Sequence, residues 1–157
     1  MDNKTRELLR ELQNGFKLET RPFKRIAKQL NCSEQEVIEI ISKCRDEGII
    51  RRIGAAVRPE KAGHNYNVLV AWQIEEDKIE QVASELSKVR CISHCYEREC
   101  PQDWPYNLFT MIHSRDKDEF DSLIEDIKTN HNLNNYKCFP TIKELKKTSM
   151  KYFKQDD

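Results

Sequence analysis

The spacing of apolar positions changes character once along this chain, and that change divides it. In residues 5–13, Leu8, Leu9 and Leu12 fall on one helical face that Phe16 would continue, and Gly15 follows as a stop. Pro22 opens a second helical run with Phe23, Ile26, Ala27 and Leu30 at helical spacing. Asn31 and Cys32 make a short turn. Ser33-Glu34-Gln35-Glu36 then forms a capping box for a third helix, whose buried face is supplied by Val37, Ile38, Ile40, Ile41 and Cys44, with Gly48 ending it. Three short helices with a tight turn between the second and third predict a helix-turn-helix, and Ile49–Ile53 is the expected strand after it.

From Asn65 the period drops to two. Tyr66, Val68, Val70, Trp72 and Ile74 alternate with Asn67, Leu69, Ala71 and Gln73, which predicts a strand. A helix over 77–88, strands at 91–98 and 106–114, a helix over 116–129 and a short strand at 136–139 follow. The order β-α-β-β-α-β predicts a ferredoxin-like sheet with both helices on one face, leaving an open face for a partner subunit to cover. The fold class is therefore α+β, with a helix-turn-helix domain over 1–58 and an αβ domain over 59–157. Small and turn-forming residues at 55–64 mark the junction. Thr141-Ile142-Lys143-Glu144 is a second capping box and predicts a C-terminal helix, cationic through Lys143, Lys146, Lys147 and Lys151.

Composition narrows the partners. The 157 residues are 38% apolar and 34% charged with no net charge, as expected of a globular chain with no strong attraction to nucleic acid. The third helix begins with Glu34, Glu36 and Glu39, which would repel DNA phosphates where such helices normally meet them. DNA binding is therefore not expected. No apolar run approaches the ~20 residues of a membrane span. The charged N-terminus resembles no targeting segment, so a cytoplasmic location with six reduced cysteines is expected.

Candidate chemistry concentrates in Cys91–Arg115, which holds two of the four histidines and three of the six cysteines. Strand alternation puts Cys91 and Cys95 on one face and His94 on the other, so buried thiols are favoured over a metal site. The same alternation groups Ile92, His94, Tyr96 and Arg98 on one strand, and Asn107, Phe109, Met111 and His113 on the next. Whether the two groups look the same way depends on register. If they do, histidines suited to proton transfer and an arginine suited to carboxylates share one surface. Arg51, Arg52 and Arg58 add cation density near the junction, suited to DNA phosphates or to an anionic small ligand.

Two resemblances sharpen this. CRDEGIIRRIGAAV at 44–57 looks like the winged helix-turn-helix of the Lrp/AsnC transcription regulators. RRIGAAVRPEKAG at 51–63, SHCYERECPQDWPYNLFTMIH at 93–113 and FPTIKELKKTSMKYF at 139–153 closely resemble siroheme decarboxylases, of Lrp/AsnC ancestry, and look most like their beta-type subunit. The resemblance implies a carboxy-lyase that removes carbon dioxide from two acetate side chains of siroheme, giving didecarboxysiroheme for haem or d-type haem biosynthesis. It implies a complex of two related subunits with the tetrapyrrole between them, and no cofactor beyond the iron tetrapyrrole substrate. It makes His94 and His113 the expected proton donors or carboxylate positioners. Arg51, Arg52, Arg58, Arg98 and Lys147 become expected carboxylate anchors, Trp104, Tyr106 and Phe109 expected contacts to the macrocycle, and Tyr96 and Asn107 further expected substrate-binding residues. The alternative from another class is an Lrp/AsnC-type DNA-binding regulator or haem sensor, with His94 or His113 as an axial iron ligand.

Overall fold

A computed structural model describes residues 1–15, 17–55 and 57–153. Phe16, expected to extend the first helical face, lies outside them. The chain forms two compact units: Met1–Ala55 together with the segment from Lys146, and Ala56–Leu145.

The helical unit contains α1 (Asn3–Gln13), α2 (Lys24–Gln29) and α3 (Glu34–Asp46). Leu8, Ile26, Ala27 and Val37 form its core, as the apolar spacing predicts. Ile38 departs from that expectation and is 43% exposed, because it falls beside rather than on the buried stripe. The capping box of α3 is formed: Ser33 Oγ accepts from Glu36 N at 3.1 Å, and the Glu36 carboxylate accepts from Ser33 N at 2.9 Å. Gly48 turns the chain out of α3 at φ +74°, a conformation that side chains disfavour.

Two expected elements are missing among the described residues. Residues 49–53 form no strand, and Ile49 and Ile53 are about half exposed. A strand needs a neighbour to complete its backbone hydrogen bonds, and none of the described strands belongs to this unit. The C-terminal helix is also absent. After Thr141 N, which donates to Asn67 O at 2.8 Å, residues 141–150 have no regular structure, and Ile142 and Leu145 are exposed. A short helix is marginal without a surface on which to bury its apolar face, whatever its cap. The tail is fixed further on, where Tyr152 N donates to Gln13 Oε1 and Gln13 Nε2 donates to Tyr152 O.

The second unit follows the expected order, with β1 (Tyr66–Trp72), α4 (Ile79–Leu86), β2 (Ile92–Glu97), β3 (Leu108–Ser114), α5 (Lys117–His131) and β4 (Tyr136–Pro140). The strands lie in the order β2-β3-β1-β4, all neighbours antiparallel. Val68, Val70 and Trp72 of β1 and Leu108 and Ile112 of β3 pack against Val82 and Leu86 of α4 and Phe120, Ile124 and Ile127 of α5. Trp72 is fully buried, and its indole N–H donates to Thr110 Oγ1 at 2.9 Å, so the core's largest polar group is satisfied. Both helices occupy one side of the sheet. Among the described residues no helix is long and apolar enough to cross a membrane.

Candidate active site on the open sheet face

Register decides which side chains meet. In the β2–β3 pair, Ile92 lies opposite Ile112 and His94 opposite Met111, so Ser93 is one residue too many and forms a β-bulge. The bulge corrects one expectation: Ile92 turns into the core, 8% exposed, and does not share a face with His94. Beyond it, His94 sits beside Met111 and Tyr96 beside Phe109, and directly opposed residues project to the same side. The two candidate walls therefore face one way. β1 adds Asn67 beside His113, Leu69 beside Met111 and Ala71 beside Phe109, while β4 adds Phe139 beside Leu69 and Lys137 beside Ala71.

A row of hydrogen bonds crosses three strands on this face. Asn67 Oδ1 lies 2.5 Å from His113 Nδ1, His113 Nε2 lies 2.7 Å from Ser93 Oγ, and Ser93 Oγ lies 2.8 Å from His94 Nδ1. His94 continues into an aromatic and cationic run. Its ring centroid is 5.9 Å from that of Tyr96, and the Arg98 guanidinium lies over the Tyr96 ring at 5.1 Å. At the β4 side Trp104 stacks on Phe139 with centroids 6.3 Å apart, and Lys137 Nζ lies 5.2 Å from the Trp104 ring. Flat apolar groups thus flank a row of proton-carrying groups.

Other expected residues are placed differently. Tyr106 is buried, and its hydroxyl donates to Asn135 Oδ1 at 3.3 Å, so it supports Trp104 from beneath. The Asn107 amide is used by the backbone of Ile74, accepting from its N–H at 2.9 Å and donating to its carbonyl at 2.8 Å. Arg98 is the predicted cation that Tyr96 holds on the face. Arg51 and Arg52 are exposed in the helical unit, Lys147 is exposed on its tail segment, and Arg58 precedes the 3₁₀ turn at Pro59–Ala62. Cys95 lies opposite Thr110 on the core side, and burial pushes the Cys91, Cys95 and Cys138 thiols up, which disfavours thiolate ligands. Among the described residues no His, Cys, Asp or Glu cluster could hold a metal ion.

Sequence reasoning missed Ser93, Asn67, Lys137 and Phe139 as members of this face. Alternation along β1 and β4 carried the signal for three of them. Nothing in the sequence marks the bulge that brings in Ser93.

Comparison with known proteins adds the chemistry that this geometry leaves open. Residues 61–146 match the family model for an AsnC-like ligand binding domain, and residues 5–51 match that for a siroheme decarboxylase NirDL-like HTH domain. The chain is 38% identical over 149 residues to the siroheme decarboxylase beta subunit of Oleidesulfovibrio alaskensis, covering 94% of each chain. It belongs to the siroheme decarboxylase family. A second family member, the siroheme decarboxylase of Hydrogenobacter thermophilus, is 35% identical over 144 residues, which is 92% of this chain and 43% of the relative. The crystal structure of the siroheme decarboxylase NirDL in complex with an iron-uroporphyrin III analogue superposes with a TM-score of 0.70 at 32% identity. That match covers 99% of this chain and 48% of the other, so the chain spans about half of that family member.

Proposed function

We propose that this chain is a subunit of a cytoplasmic siroheme decarboxylase, a carboxy-lyase converting two acetate side chains of siroheme to methyl groups for haem or d-type haem biosynthesis. The observation that carries the proposal is the hydrogen-bonded row Asn67–His113–Ser93–His94 on an open, aromatic-flanked sheet face, in a chain 38% identical to a family beta subunit. Each acetate gives up its carboxylate as carbon dioxide, and the electron pair left on the methylene carbon takes up one proton. His94, exposed at the end of the row, is placed to supply that proton, with His113 behind it. The exchange of carbon dioxide for a proton is redox-neutral, so no redox cofactor is called for, and the iron arrives with the substrate.

Binding follows from the same surface. Tyr96, Phe109, Trp104 and Phe139 offer flat contacts to the macrocycle, and Arg98 and Lys137 offer positive charge to its carboxylates. Arg51, Arg52, Arg58 and Lys147 are further cations proposed to reach the substrate in the assembled enzyme. The open face calls for a cover, and a related second subunit is the proposed one, as several relatives are themselves named as subunits. No regulator function is proposed, because Glu34, Glu36 and Glu39 keep the start of α3 acidic.

Anaerobic incubation with siroheme, with and without the related subunit, tests this by product mass. Loss of two carboxyl groups from the tetrapyrrole is expected. Unchanged siroheme in both incubations, together with DNA binding at physiological salt, would sink the enzyme reading. His94→Ala and His113→Ala are expected to slow carbon dioxide release by ~100-fold or more while tetrapyrrole affinity changes little. Wild-type turnover in both variants would remove them from the mechanism.

A further inference from the structure

We propose that Ser93 joins His94 and His113 into one proton-donating unit, and that Asn67 sets its direction. The inference rests on the decarboxylase reading for what the proton is used for, but not for the state of the rings. Asn67 Oδ1 can only accept, so the His113 nitrogen facing it at 2.5 Å carries hydrogen. His113 Nε2 is then an acceptor in the neutral ring, and the Ser93 hydroxyl at 2.7 Å donates to it. With its hydrogen so committed, Ser93 Oγ accepts from His94 Nδ1 at 2.8 Å. All three bonds run towards Asn67, and His94 Nε2 is left bare.

A proton taken up at His94 Nε2 then has two resting places. It remains on His94, or the bonds reverse in order: His94 Nδ1–H passes to Ser93 Oγ as the Ser93 hydroxyl hydrogen passes to His113 Nε2. One proton has moved, the serine is regenerated, and the charge rests on His113. The reverse movement returns it to His94 for delivery to the methylene carbon, after which the row is back in its starting pattern. Every bond made is matched by one broken. The bulge is what makes the coupling possible, because in a regular strand Ser93 would project to the face opposite His94.

Ser93 and Asn67 are therefore positioning residues, and the histidines act as a pair that shares one proton. Two measurements test this. The first uses the protein without substrate: nitrogen-15 NMR of the histidine rings in the neutral protein should show hydrogen on Nδ1 of both His94 and His113. Loss of that pattern for His94 is expected in Ser93→Ala, with recovery in Ser93→Thr. Hydrogen on Nε2 of His113 in the wild type would overturn the proposal, even if the chain is a decarboxylase. The second uses the complete enzyme with siroheme. Ser93→Ala should lower kcat about tenfold or more at unchanged KM, part of the ~100- to 10,000-fold that a positioned proton donor supplies. Ser93→Thr should restore most of it. Because the two changes act on one unit, Ser93→Ala combined with His113→Ala should be no slower than His113→Ala alone. Effects that multiply would show the two residues acting separately, and would end the proposal. An inactive wild-type enzyme with the expected tautomers would count against the decarboxylase reading alone.

Discussion

Single side chains on this sheet divide by what their polar atoms already hold. Asn107, immediately before β3, has the same parity as Phe109 and His113, yet both ends of its amide are bonded to the main chain of Ile74, which is 5% exposed. Parity tells which side of a sheet a residue leaves from, but not whether its hydrogen-bonding capacity is already used. That is why Asn107 looked like a contact to the substrate in sequence and is a clip in the structure. Asn107→Leu keeps the volume and strands two backbone groups, so it should cost about 1–3 kcal/mol. The loss should appear in urea unfolding as a lower midpoint at an unchanged slope. Tetrapyrrole affinity at temperatures where the variant remains folded should stay near wild type, which would separate the clip from the binding face.

At the level of elements, local signals that are self-sufficient were legible and those that need a partner were not. The α3 capping box closes between residues three apart, so sequence alone identifies it, and the structure contains it. The Thr141 box follows the same pattern, a hydroxyl residue with Glu three places on, but the helix it would start has no surface to pack on, and Ile142 remains fully exposed. The Ile49–Ile53 strand fails for the same reason. The Ser93 bulge was hidden because it is a property of two paired strands rather than of one. The α3 cap also carries a pH dependence. Backbone and side-chain donors of Ser33 hold the Glu36 carboxyl below the usual carboxylate range, and the Thr5 amide does the same for Asp2 at the start of α1. A lowered carboxyl stabilises the fold fully above its unfolded value and loses that effect as pH falls through the folded one. Both caps should therefore weaken below about pH 4. Glu36→Gln keeps a capping side chain without a titrating group, so amide exchange at the start of α3 should lose its acid dependence there and keep it at α1. Equal acid dependence in the variant would show that the loosening arises elsewhere.

For the molecule as a whole, the order of elements was sufficient to give the sheet unit, because alternation of two and of three to four residues each bury one face. What alternation leaves unresolved is the purpose of the other face. Adjacent residues of β3 now separate the two purposes within one strand. Ile112 is fully buried beneath α5, whereas Met111 lies on the open side between His94 of β2 and Leu69 of β1. Ile112→Ala should cost about 2–5 kcal/mol in stability through the cavity it leaves. Met111→Glu places a carboxylate on a partly exposed surface and should shift stability by no more than about 0.5 kcal/mol in the isolated chain. The same carboxylate would face the anionic tetrapyrrole and any subunit that closes over the face, so binding of both should fall at least tenfold, read by absorbance titration and by sedimentation. A folded Met111→Glu chain that still bound siroheme and its partner normally would place the functional surface off the sheet. Loss of folding in Met111→Glu, with little effect of Ile112→Ala, would instead reverse the assignment of the two faces.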